Sequence, residues 1–156
     1  MELLRVAKIH GIDVAVETSG YTSWSKLERA KEKIDHFLFD IKALDSRRHL
    51  ELTGVRNEPI LENLKKLARD CDVTIRFPVV EGYNVKDERD AMKLAEICIE
   101  TGVERVDLLR YHRFGEKKYR MLGRNYELRV EETGLIYRLR DVLKREGLKV
   151  SVNGLL

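Results

Sequence analysis

Apolar positions along the chain recur in two alternating rhythms, one helical and one of period two, joined by short polar connections. Residues 2–10 predict a helix closed by Gly11, where a positive φ suits glycine. A first strand over 12–17 and a Thr18-Ser19-Gly20 loop follow. Ser25 and Glu28 have the spacing of a capping box and predict a helix running to about residue 33. A second strand covers 36–42, and Asp45 is placed to cap a short helix through residue 52. Pro59 suits the first turn of the next helix, which extends to about residue 69. A third strand over 73–80, a loop through 81–84 and a helix over 88–101 closed by Gly102 complete that unit. The remainder predicts a strand over 105–111, an irregular stretch over 112–130, a helix over 131–146 and a last strand over 148–152.

Strands separated by helices imply parallel pairing through right-handed crossovers. The chain has no Gly/Pro/Ser-rich linker and no shift in composition, so residues 1–156 read as a single domain. Strand–helix units in this number fit an open doubly wound sheet or a sector of a βα barrel. A closed eight-stranded barrel needs more chain. The expected fold is α/β, an open partial (βα) barrel with parallel strands.

Period two divides each strand between two faces. Phe37, Phe39 and Ile41 oppose Leu38, Asp40 and Lys42; Ile75, Phe77 and Val79 oppose Thr74, Arg76 and Pro78. In the fourth strand Val106, Leu108, Arg110 and His112 alternate with Asp107, Leu109 and Tyr111. Parallel strands are expected to be buried on both faces, where a charge is costly unless paired or liganded. Glu17, Asp40, Lys42 and Arg76 are four such charges, with His112 a fifth polar group. Ligands of α/β folds sit at the C-terminal ends of parallel strands. The mixed sign of the cluster suits a zwitterionic or phosphate-bearing small molecule, while a cluster paired only with itself is the plainer alternative.

Composition sets the outer bounds. Charged residues make up 37% and apolar residues 43%, which is globular, and the net charge of +3 is too small to argue for nucleic acid. No run is apolar enough for a membrane span, and Cys71 and Cys98 stand apart with no CxxC pattern. A reducing, cytoplasmic setting is expected.

The residues at the strand ends also carry a resemblance. VETSG (16–20), FDIK (39–42), TGV (53–55), IRFPVVEGYN (75–84), LLRYHRFGEKKY (108–119) and MLGRNYEL (121–128) occur in the order found in one family. They resemble the radical S-adenosylmethionine (SAM) activating enzymes of glycyl-radical enzymes, such as pyruvate formate-lyase activating enzyme. The family's CxxxCxxC motif and the Gly-Gly-Glu segment after it are not in this sequence. The resemblance therefore implies the C-terminal part of such an enzyme, a truncated radical SAM-type barrel. The family reductively cleaves SAM at a 4Fe–4S cluster, and the resulting 5′-deoxyadenosyl radical takes a hydrogen atom from a glycine of the partner enzyme.

By the same resemblance Asp40, Lys42, Arg76 and His112 contact SAM, and Glu17, Thr18 and Asp40 match a monovalent-cation site. Arg and Lys balance a carboxylate, and oxygen ligands suit a hard cation. Glu17, Ser19 and Arg110 depart from the type member's Asp, Asn and Pro. The chain has no ligands for the cluster, so it is expected to be inactive alone. Its partners would be a glycyl-radical enzyme and either the missing N-terminal segment or a second copy at the first-strand edge. A cluster-free module binding a small molecule or peptide is the alternative, and an unrelated βα-barrel hydrolase or aldolase lacks a recognisable nucleophile–base set. Cys71 and Cys98 read as core packing, and His10, His36 and His49 as structural or exposed. Residues 110–129 interleave seven Arg and Lys side chains with Phe114, Tyr119 and Tyr126, either as solvated loop or as the surface that receives the partner's glycine loop. Such segments can also bind RNA, but here the family match accounts for it.

Overall fold

A computed structural model describes residues 2–153. Five strands, β1 (Ala15–Thr18), β2 (His36–Asp40), β3 (Val73–Val79), β4 (Arg105–Arg110) and β5 (Lys149–Val152), pair in parallel in the order β1-β2-β3-β4-β5. Strand order equals chain order, so it never reverses as it would in a doubly wound sheet. Successive right-handed crossovers then place the helices that pack on the sheet on one face. The result is a sector of a βα barrel.

The connections contain α1 (Glu2–Ile9), which precedes the sheet, then α2 (Trp24–Lys31), α3 (Ser46–Thr53), α4 (Glu58–Leu67), α5 (Arg89–Thr101), α6 (Glu116–Met121) and α7 (Leu135–Arg145). Of these, α2, α4, α5 and α7 pack side by side in that order. Phe37, Phe39, Ile75, Phe77, Val106 and Leu108 on the sheet meet Leu64, Leu67, Leu94, Leu139 and Leu143 on the helices in one buried core. The alternation that assigns these strand residues to one face thus corresponds to real burial. Among the described residues, no helix is long and apolar enough to cross a membrane.

Several local expectations change. The Ser25/Glu28 capping box does not form: α2 begins at Trp24 with Ser23 at its N-cap, and the Ser25 hydroxyl lies 3.3 Å from that of Ser23. Residues 116–121, inside the stretch expected to be irregular, form α6, which buries no residue. The last long helix starts at Leu135 rather than 131, because Gly134 precedes it at φ 76°. Asp45 does cap α3, accepting from the Arg48 amide at 2.9 Å.

The second face of the sheet is also more open than parallel strands suggest. Leu38, Thr74, Arg76, Pro78, Leu109 and Tyr111 are half-buried there, in contrast to the fully buried residues of the helix-side face. This more open face carries the charges.

Polar side chains fasten the connections above it. The buried Asn63 amide donates to Gly20 O (2.8 Å) and Thr22 O (2.9 Å), and Thr18 Oγ1 accepts from the Gly20 amide at 3.0 Å. Gly20 has φ 68°, and a Cβ there would lie 2.1 Å from Phe39 Cζ, so the turn after β1 accepts only glycine. Asn84 donates to Lys42 O (2.9 Å) and accepts from the Val80 amide (2.8 Å), tying the ends of β2 and β3 together.

Candidate functional site

The open face ends in a cleft of about 760 Å³ at the C-terminal ends of the strands, lined in part by Glu17, Asp40, Lys42, Arg76, Tyr111 and His112. All five polar groups singled out in the sequence therefore border one space. Register explains the convergence: Asp40 pairs laterally with Arg76, Arg76 with Asp107, and Asp107 with Ser151. Side chains at one level on one face of a parallel sheet become neighbours.

The charges are linked in turn. Arg76 Nη1 lies 2.8 Å from Glu17 Oε2, and Lys42 Nζ 3.1 Å from Asp40 Oδ2. Arg76 Nε faces Asp107 Oδ2 at 3.5 Å, close enough for an ion pair but without a hydrogen bond. The Ser151 hydroxyl donates to Asp107 Oδ1 at 2.8 Å. Glu17 keeps 54% of its side chain exposed and Arg76 22%, so their pair is solvent-screened on one side and of modest strength.

Asp40 is only 8% exposed, and its Oδ1 is buried with no hydrogen-bond partner among the described residues. Leaving such an oxygen unmade costs about 1–3 kcal/mol. An ammonium group or a cation would remove that cost, while Arg76 and Lys42 offer charge to a carboxylate. The donor set therefore fits the zwitterionic aminoacyl end of an amino-acid derivative.

The remaining placements differ from residue to residue. Thr18 pairs with Phe39 in register, on the helix side, and does not border the cleft; its hydroxyl is held by Gly20. His112 is exposed and stacks on Phe114 with ring centroids 4.2 Å apart. Arg110 lines the cleft, but its guanidinium is engaged by Glu132 and the Tyr137 hydroxyl. Tyr111 shares a 2.5 Å hydrogen bond with Tyr126, and desolvation together with that bond pushes its phenol up to about 12.

Asp107 is a member not expected from the sequence. Its parity places it on the cleft face, in mid-strand beside Arg76, among residues whose charges otherwise mark the strand ends.

The cysteines do not fit an iron–sulfur cluster. Cys98 is buried in α5 within the helix-side core, and burial pushes its thiol up to about 12. Cys71 follows α4, and burial raises its thiol too. Among the described residues, no three His, Cys, Asp or Glu side chains gather to hold a metal. His49 is structural, buried with Nδ1 2.7 Å from Val55 O.

No protein-family model matches the chain. Individual proteins do. Choline trimethylamine-lyase activating enzyme of Oleidesulfovibrio alaskensis is 41% identical over 133 residues, covering 82% of this chain and 43% of the relative. Isethionate sulfite-lyase activating enzyme of Nitratidesulfovibrio vulgaris is 42% identical over 127 residues, covering 80% of this chain and 41% of the relative. A crystallised domain of pyruvate-formate lyase-activating enzyme from Bacteroides vulgatus superposes with a TM-score of 0.75 at 24% identity, covering 98% of this chain and 88% of that one. The sheet thus shares the fold of that activating-enzyme domain. The chain belongs to the glycyl-radical-enzyme activating-enzyme family and corresponds to its C-terminal part. It spans less than half the length of these two relatives.

Proposed function

We propose that this chain is the SAM-binding C-terminal portion of an activating enzyme that generates a glycyl radical on a partner enzyme, and that it is inactive alone. The observation that carries the reading is Asp40 Oδ1, a buried acceptor with no hydrogen-bond partner among the described residues, beside Lys42 and Arg76 in the cleft. Asp40 would hold the methionyl ammonium, Arg76 and Lys42 would balance the carboxylate, and His112 would contact the cofactor from the lip. Glu17 and Asp40 would hold a monovalent cation beside it; Thr18, turned to the helix side with its hydroxyl on the Gly20 amide, is not among its ligands. Bound SAM supplies the 5′-deoxyadenosyl group from which the hydrogen-abstracting radical derives.

The cluster ligands would come from chain outside this one, since Cys71 and Cys98 lie away from the cleft. The relatives carry more than as much chain again beyond the matched part. Its seat would be β1, which among the described residues pairs only with β2, together with α1. That helix buries no residue and exposes Leu3 (85%) and Ile9 (65%), as expected of a surface awaiting a neighbour. The glycyl-radical enzyme would dock at the mouth, against residues 110–129. Two free thiols suit a cytoplasmic setting.

The test is an NMR titration of the chain with SAM, which reads millimolar affinity. Shifts confined to Asp40, Lys42, Arg76 and His112, and abolished by Asp40→Asn, are expected. Shifts spread over the helix side, or unaffected by Asp40→Asn, would overturn the assignment.

A further inference from the structure

The row Asp40–Arg76–Asp107–Ser151 crosses four strands at one level, and only its Asp40 and Arg76 have a role so far. Asp107 is a carboxylate 6% exposed in mid-strand, a costly placement unless its neighbours use it. One oxygen accepts from Ser151, which fixes the carboxylate's rotation, and the other faces Arg76 Nε. The opposite end of the guanidinium, Nη1, meets Glu17, whose carboxylate is largely in water. One end of Arg76 is therefore ion-paired with a buried carboxylate that Ser151 holds, and the other with an exposed and exchangeable one.

We propose that Asp107, held by Ser151, is a positioning residue that aims the Arg76 guanidinium into the cleft so that a ligand carboxylate can take the place of Glu17. The proposal rests on the SAM reading above and adds two residues to it. A fixed guanidinium presents its forked donors at one orientation, which favours a planar carboxylate over a diffuse anion. Ser151 acts one step further out, as partners of binding groups do elsewhere. Neither side chain needs to touch the ligand.

The experiment compares SAM with its decarboxylated analogue by NMR titration of the wild type, Asp107→Asn and Ser151→Ala. If Asp107 positions Arg76, Asp107→Asn weakens SAM by about tenfold and leaves the decarboxylated analogue unchanged, with Ser151→Ala smaller in the same direction. Equal weakening of both ligands would mean that Asp107 only supports the fold, and would overturn the proposal. A second readout needs no ligand: the Arg76 Nε–H resonance and its rate of guanidinium rotation. Rotation should quicken in Asp107→Asn, and an unchanged rate would also overturn the proposal. If wild-type protein bound neither ligand, the SAM reading would fail while the rotation measurement still decided this one. Far-UV circular dichroism of each variant separates a folding failure from either result, and Asp107→Glu should restore part of the SAM affinity.

Discussion

Replacing Gly20 by alanine tests how the strand-end loop is held. Gly20 has φ 68°, and an added Cβ would meet Phe39 Cζ at 2.1 Å, Cε2 at 2.7 Å and Cε1 at 3.0 Å. Phe39 is fully buried between sheet and helices, so its ring has no free volume into which to retreat. The left-handed backbone costs a residue with a Cβ about 1–2 kcal/mol. Overpacking a filled core adds about 1–3 kcal/mol. Their sum, about 2–5 kcal/mol, is a large part of a typical domain's stability and should lower Tm by roughly 4–20 °C. Gly102→Ala is the internal control: its φ is 77°, but nothing lies within 4 Å of the new Cβ, so only the backbone cost remains. Thermal denaturation followed by circular dichroism measures both. Phe39→Leu in the Gly20→Ala background should recover part of the loss, a coupling read by a double-mutant cycle. Equal Tm losses at Gly20 and Gly102 would refute the reasoning, because the Phe39 contact would then contribute nothing.

Three further outcomes are expected. His36, 2.9 Å from Asp72 through Nδ1, has its pKa lowered by burial and by Arg105, so the folded state keeps it neutral where the unfolded chain protonates. Stability is then full above about pH 6.5 and falls as pH drops below it, and His36→Gln should flatten that slope in denaturant titrations. Cys98, with its thiol pushed up to about 12, should resist alkylation at pH 8 in the native state and react only on unfolding; rapid native labelling would contradict its burial. Leu3→Glu with Ile9→Glu should change unfolding free energy by less than about 0.5 kcal/mol, since α1 buries nothing, and a larger loss would show that the helix packs on the sheet.

The path from sequence to site was uneven for physical reasons. Alternation in β2 and β3 was directly readable, because Phe37, Phe39, Ile75 and Phe77 repeat at the period of a strand with one buried face. The cap at Asp45 was readable because a cap is a local bond between near neighbours. Ser25 had the correct spacing for a cap, yet the helix begins two residues earlier than that cap implies, since spacing does not fix the first turn when Ser23 and Ser25 both compete for it. The short α6 was hidden because it has no buried stripe to impose a period. Asp107 was hidden for a different reason. Its partnership with Arg76 depends on the register between β3 and β4, which loops and packing set and which a single strand's pattern does not contain. Glu17, Asp40, Lys42 and His112 meet at one cleft because each lies at or just past a strand end, and Arg76 joins them from mid-strand at the level of Asp40.

The role proposed for the cleft, to bind the cofactor of an enzyme whose cluster is held by other chain, can be measured by anaerobic reconstitution with iron and sulfide, followed by dithionite and SAM, with 5′-deoxyadenosine read by chromatography. The chain alone should form no stoichiometric cluster and release no 5′-deoxyadenosine, because Cys71 and Cys98 lie on the helix side and, among the described residues, no three metal-ligating side chains gather. Adding an N-terminal segment that carries CxxxCxxC from a relative should restore both, and Arg76→Ala in this chain should abolish the product again. Stoichiometric cluster absorbance with 5′-deoxyadenosine production by the unaccompanied chain would show that it needs no other chain to hold a cluster.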